Sequence, residues 1–185
     1  MRVLVACEYS GVVRDAFIRR GHEAISCDLL PTDAPAHPHY EGDVFDLDWS
    51  DFDLVIAHPP CTALAVSGNR HYAGTQARED AAEFVRRMWQ QPVERLAIEN
   101  PVGVLNRLVP EMPRPHYIQP WQFGHGETKK TGLWLRGLPP LQPTDIVSGR
   151  EQRIWKLPPS ADRWKIRSTT FQGIAEAMAE QWGSP

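Results

Sequence analysis

Two short strings carry side chains suited to chemistry, His58-Pro59-Pro60-Cys61 and Glu99-Asn100-Pro101. Two successive prolines fix a rigid, extended turn, and such a turn after a strand presents the next side chain outward. Here that side chain is a thiol. A lone cysteine is more often a small buried hydrophobe than a nucleophile, so Cys61 draws its interest from its company. A thiolate and the Glu99 carboxyl converging in one crevice make a nucleophile and a proton donor. Thr62 to Gly74, small and polar, suits a mobile lid over them. A third position is Asp28, about 20 residues after the turn at Gly11, where a carboxylate can hold both hydroxyls of a ribose. On spacing alone, a simple turn cap at Asp28 is about as good a reading. Asp43 follows at the next strand position and can meet an adenine edge.

These residues need a frame that brings them together. Arg2 to Cys7 reads as a short buried strand running into a turn at Glu8-Tyr9-Ser10-Gly11, and Val12, Val13, Ala16, Phe17 and Arg20 then fall at helical spacing. Glu23 to Asp28 forms a second strand, residues 31–40 an exposed loop, and Asp53 to Ala57 a third strand ending at His58. Ala77, Ala81, Phe84, Val85 and Met88 share one helical face, and Leu96-Ala97-Ile98 is the next strand, ending at Glu99. Strand, turn, helix, strand, with polar residues at each carboxyl end, predicts an open, doubly wound α/β sheet. Beyond residue 113, Ile118 to Phe123 and Gly132 to Leu135 read as short strands. Thr169 with Gln172 three residues later reads as a capping box opening a last helix. No repeat or linker divides the chain, so residues 1–185 are expected to form one domain.

Composition narrows the function classes. The 185 residues carry a net charge of −3, which argues against a highly basic nucleic-acid binder. The charge is unevenly spread, with 9 Lys and Arg against 16 Asp and Glu in residues 1–100 and 11 against 7 thereafter. The stretch 128–167 holds nine basic residues and three acids, interleaved with Trp134, Trp155 and Trp164. That combination suits phosphate contact with base stacking, although a solvated face with core tryptophans is the blander alternative. Three cysteines without paired spacing indicate neither disulfides nor a metal site. No apolar run spans a membrane and no leader is evident, so a cytoplasmic protein is expected.

The order of these motifs resembles the DNA cytosine-C5 methyltransferases, over roughly residues 3–182, in a compact form like that carried by bacteriophages. The family's first turn, Phe-Ala/Ser-Gly, is matched by Tyr9-Ser10-Gly11, and its two acids by Asp28 and Asp43. Its Pro-Cys is matched by Pro60-Cys61, and its Glu-Asn-Val by Glu99-Asn100 with Pro101 in place of valine. Lys129-Lys130-Thr131-Gly132 loosely resembles the Gln-x-Arg strand, and Gln172-Gly173-Ile174 the closing motif. The resemblance implies a Rossmann-like fold that binds S-adenosylmethionine. Cys61 and Glu99 would then be catalytic, and Tyr9, Ser10, Gly11, Asp28, Asp43, Pro59, Gln172 and Ile174 would line the cofactor. His58, Pro60, Asn100, Lys129 and Lys130 would face the substrate, and no metal is implied.

The implied reaction adds Cys61 to C6 of cytosine, in single-stranded DNA, a short duplex context or a free nucleotide. A lowered thiol pKa would serve that step, with His58 as the candidate cation. Three departures stand out: Val12 and Val13 replace glycines, lysine replaces the forked arginine, and only about 30 residues sit where relatives insert a target-recognition domain. A second copy or a partner protein would then supply recognition. Two other readings remain. An amino-methyltransferase would use His58-Pro59-Pro60 against an exocyclic amine, and a non-catalytic cofactor-binding module would work with a partner.

Overall fold

A computed structural model describes residues 1–184. Seven strands form one mixed sheet: β1 (Arg2–Ala6), β2 (Glu23–Asp28), β3 (His39–Glu41), β4 (Leu54–Ala57), β5 (Leu96–Pro101), β6 (His116–Ile118) and β7 (Thr131–Arg136), in the order β3-β2-β1-β4-β5-β7-β6. The first five in that order run parallel, and β7 is antiparallel to both β5 and β6. The strand order reverses between β1 and β4, and at such a switch point the loops beyond the strand ends diverge and open a crevice. The sheet is the doubly wound α/β arrangement that the sequence predicts.

The central strands read as continuous apolar runs because both faces are covered. Alternate residues point to opposite sides. Val3, Val5, Leu54 and Ile56 pack with Phe17 of α1 (Val12–Arg19) and Met178 and Trp182 of α7 (Gln172–Trp182). Leu4, Ala6, Val55 and Ala57 pack on the other face with Ala82, Val85 and Met88 of α3 (Gln76–Trp89). Trp134 of β7 is 2% exposed in this second core, its indole N–H donating to Asn106 Oδ1 at 2.8 Å. It is therefore a core tryptophan and contributes nothing to a stacking surface.

Four sequence expectations need correction. Residues 39 and 40, read as the end of a loop, belong to β3, because His39, Tyr40 and Glu41 pair in parallel with Ser26, Cys27 and Asp28. β5 does not stop before Glu99 but continues through Pro101, since β7 supplies partners as far as Thr131. The stretch 118–123 is strand only up to Ile118, after which Pro120–Gln122 forms a turn of 3-10 helix. The capping box is absent: α7 is capped by Phe171, while Thr169 Oγ1 donates to Lys165 O at the end of α6 (Arg163–Ser168). Among the described residues, no helix is long and apolar enough to cross a membrane.

Candidate active site

The β4–β5 register pairs Ala57 with Ile98. One residue further, the same alignment sets His58 beside Glu99, and the next sets Pro59 beside Asn100. Both pairs are closed by side chains. His58 Nδ1 donates to Glu99 Oε2 at 2.8 Å, and Asn100 Nδ2 donates to the Pro59 carbonyl at 3.1 Å. Asn100 is 1% exposed, so it clamps the diproline turn from beneath, where a substrate contact through its Nδ2 is already spent on the backbone. Pro59 is buried, Pro60 exposed, and Cys61 is exposed at the crest of the turn.

The segment after Cys61 is only partly the lid expected of it. Ala63, Leu64 and Ala65 are buried, and Arg78, 2% exposed on α3, donates through Nε to the Ala63 carbonyl at 2.8 Å. Val104 N–H donates to Leu64 O, and Val66 N–H to Val102 O. These bonds tie residues 63–66 to the body of the protein. The exposed part is Thr62 and the stretch 66–74, which holds the turn at Val66–Gly68, with Gly68 itself buried, and the short α2 (Asn69–Tyr72).

The electrostatics distinguish the three cysteines and separate Cys61 from Glu99. Burial pushes the Cys27 thiol up to about 12, with Asp28, Asp43 and Asp46 adding to the effect, and it pushes Cys7 higher still. Cys61 alone is exposed. Its thiol also lies above the ordinary range, raised by the surrounding protein and by the Glu99 charge and only partly lowered by Lys129 and Arg167. The expected lowering is thus not found, and His58 is not its cation, because the imidazole is turned to Glu99. For Glu99, burial works upward, but the His58 hydrogen bond and charge, with Lys129, outweigh it and hold the carboxyl below its ordinary range.

Beyond β1 lies a tightly bonded turn. Cys7 has φ 57° and Gly11 φ 74°, and Gly11 starts α1. Glu8, 5% exposed, accepts from the Val13 N–H at 2.7 Å and the Arg14 N–H at 3.2 Å, with Ser10 Oγ donating at 3.3 Å. A buried carboxylate thus satisfies the free amides of the helix N-terminus. Sequence reasoning passed over Glu8, although a carboxylate three to six residues before a helix is the signal that finds it. Arg14, fully buried, donates to Asp15, Ser26, Ala34 O and Pro38 O, and so fastens the loop after β2 to α1. Tyr9 packs against Trp164 at 5.4 Å between ring centroids, and its hydroxyl donates to Lys165 O.

Asp28 stands half-buried at the end of β2, accepting from Leu30 N–H, and burial raises its pKa. Asp43 caps the turn of 3-10 helix at Val44–Asp46 through Phe45 N–H. Both acids act on Cys7 and Cys27, which places Tyr9, Ser10, Gly11, Asp28 and Asp43 around the ends of β1 and β2. The closing motif stands apart from them. Gln172 is exposed and donates to Glu176, and Ile174 is 5% exposed within the core beneath α7.

The cations divide. Lys129 acts on both Cys61 and Glu99, and its Nζ donates to Thr169 O at 3.4 Å. Lys130 is exposed over the Tyr117 ring. Arg136 is withdrawn, donating to the carbonyls of Trp89, Gln91 and Val93 at the end of α3. Trp155, on α5 (Arg153–Lys156), and Trp164 are 72% and 47% exposed, among Lys156, Arg163 and Arg167.

Neither a protein-family model nor any curated protein matches the sequence. Solved structures do match in shape. A protein encoded within an E. coli prophage and described as a DNA modification methyltransferase is 15% identical with a TM-score of 0.51, over 85% of this chain and 55% of that one. The methyltransferase EhMeth of Entamoeba histolytica is 10% identical with a TM-score of 0.52, over 87% and 61%. The chain spans little more than half the length of either. The fold is the Rossmann-like α/β fold of methyltransferases.

Proposed function

We propose that the chain transfers a methyl group to C5 of cytosine, in DNA or a cytosine nucleotide, through a covalent adduct at Cys61. The observation that carries this reading is the delivery of Cys61 and an ionised Glu99 to one crevice by adjacent parallel strands, with His58 and Asn100 fixing both. In this reading residues 1–185 act as one catalytic domain.

S-adenosylmethionine, when bound, supplies an electrophilic methyl. The residues around β1 and β2 fit it better than a dinucleotide. Glu8 already occupies the α1 amides that would otherwise cradle a phosphate, and Asp28 and Asp43 would repel one. Acids suit a sulfonium cation, and Asp28 can accept from ribose hydroxyls. Tyr9, Ser10, Gly11, Asp28, Asp43 and Pro59 would hold it, whereas Ile174 acts through packing.

Cys61, once ionised, forms its S–C6 bond while Glu99 accepts from the exocyclic amine and, when it carries a proton, donates to N3. C5 gains nucleophilic character, takes the methyl, loses its proton to a base, and Cys61 departs. Lys129 favours both the thiolate and the ionised Glu99. Lys130 and the exposed α5–α6 surface with Trp155 suit a polynucleotide backbone and an unstacked base. The amino-methyltransferase reading is less well supported, since His58 Nδ1 is held by Glu99 and Nε2, although unpartnered, is buried.

The test uses 5-fluorocytosine in single-stranded oligonucleotide, duplex and nucleotide form with labelled S-adenosylmethionine. A covalent adduct mapping to Cys61, absent in Cys61→Ala, supports the reading. Full methyl transfer by Cys61→Ala refutes it.

A further inference from the structure

Histidines in this fold are used in two ways. His39 spends both ring nitrogens on structure, Nδ1 with Ser26 Oγ at 2.8 Å and Nε2 with Leu30 O at 3.0 Å. His58 spends one. Its Nδ1 meets Glu99 Oε2 at 2.8 Å, while Nε2 is buried with no hydrogen-bond partner. The side chains of His58 and Glu99 are 9% and 13% exposed. Burial in the β1–α1 turn raises the Glu8 pKa, and the nearby His58 charge partly offsets that rise. An imidazole anchored to one sheltered carboxylate through a single nitrogen is arranged to carry a proton rather than to brace a loop.

We propose that His58 is the positioning residue that stores the proton which Glu99 delivers to N3 of the bound cytosine. The inference rests on the cytosine reading above. When a thiolate adds to C6, the ring acquires an electron pair, and protonation at N3 accommodates it. Glu99 sits below its ordinary range, so at neutral pH it is ionised and has no proton of its own to give. Its hydrogen-bond partner has one. The groups facing the pair are Glu8 from the β1–α1 turn, Lys129 from the approach to β7, and Cys61 on the same turn as His58.

The step balances. The scheme starts from the imidazolium, with a proton on each ring nitrogen: the Nδ1–H bond breaks as Oε2–H forms, leaving a neutral imidazole protonated at Nε2. The carboxyl turns about Cγ–Cδ, and its O–H bond breaks as N3–H forms, concerted with S–C6 bond formation. The thiolate charge is thereby taken up by the added proton, and Glu99 is again a carboxylate beside N3. The reverse transfer, from N3 through Glu99 to Nδ1, accompanies departure of Cys61. The step stops once the pair has lost that proton to solvent.

The decisive variant is His58→Asn, which keeps an N–H directed at Glu99 but holds no titratable proton. General acid assistance is typically worth about 10²–10⁴-fold. We expect kcat on a cytosine oligonucleotide to fall by about 10²-fold with KM little changed and the alkaline limb of the pH profile removed. Proton NMR gives a readout independent of turnover: a far-downfield imidazole N–H resonance in the wild type, absent in His58→Asn and in Glu99→Gln. Should His58→Asn fail to fold, Glu99→Gln gives the same spectral answer. Wild-type kcat and an unchanged pH profile in His58→Asn overturn the proposal, and so does a wild-type protein without that resonance. A wild type that shows the resonance yet methylates no cytosine substrate overturns the cytosine reading instead, and the N3 step with it.

Discussion

Replacing Gly11 by alanine probes the turn on which the proposed cofactor side of the crevice depends. Gly11 has φ +74°, a left-handed conformation that costs an alanine about 1–2 kcal/mol. A Cβ built there lies 2.4 Å from Arg14 Nη2. The tip of a long side chain usually yields, but Arg14 is fully buried and bonded to Asp15 on its own helix, Ser26 of β2 and two carbonyls of the loop after β2. Moving Nη2 breaks its 2.8 Å bond to Ala34 O, and a bond from a charged group is worth roughly 1.5–3 kcal/mol. The expected loss is therefore about 3–5 kcal/mol, a fall in Tm of roughly 6–20 °C for a chain of this size. Gly21 supplies the internal control. Its φ is +82°, with no atom within 4 Å of an added Cβ, so Gly21→Ala should show the backbone strain alone, roughly 2–8 °C. Thermal melts of both variants decide the matter, and equal melting temperatures would refute the account of Arg14 as a locked clamp.

Asp28→Ala should weaken S-adenosylmethionine binding by about 1.5–3 kcal/mol, roughly 10- to 150-fold, in calorimetry, and unchanged affinity removes Asp28 from the pocket. Lys129→Ala removes a charge that lowers the Cys61 pKa, so the thiol should rise further. Below that pKa the thiolate fraction falls tenfold for each unit of increase. Iodoacetamide labelling of Cys61 at neutral pH should therefore slow and its rising limb move to higher pH, and equal or faster labelling contradicts the argument.

What the sequence made legible follows from where the determinants are local. The parallel strands announce themselves as apolar runs, and Pro59-Pro60 fixes a turn whatever surrounds it, so the placing of Cys61 near Glu99 could be read directly. Determinants set by distant partners could not. The three-residue β3 exists only because β2 offers an edge, and β5 runs on past Glu99 because β7 pairs with it. Arg14 and Arg78 look like surface cations in a helical pattern, yet both are buried because loop carbonyls far along the chain receive them. The link between His58 and Glu99 is likewise invisible without the register of two strands, which is why the imidazole could be weighed as a cation for Cys61. The capping box at Thr169 matched a local rule that the preceding α6 overrides.

The reversal of a single strand has a consequence for how a substrate meets the crevice. Parallel strands send their carboxyl ends to the rim, and in this chain those ends carry acids: Glu8 just beyond β1, Asp28 and Glu99. Because β7 runs the other way beside β5, its beginning rather than its end reaches the same rim, with Thr131 opposite Pro101 and Lys129 and Lys130 just before it. The mouth is therefore bipolar, with carboxylates along β1, β2 and β5 and ammonium groups on the β7 bank. A polyanion arriving at such a mouth experiences a torque before it experiences a contact. In the proposed reaction its phosphates would swing toward the lysines and away from the acids, leaving a base to face Cys61.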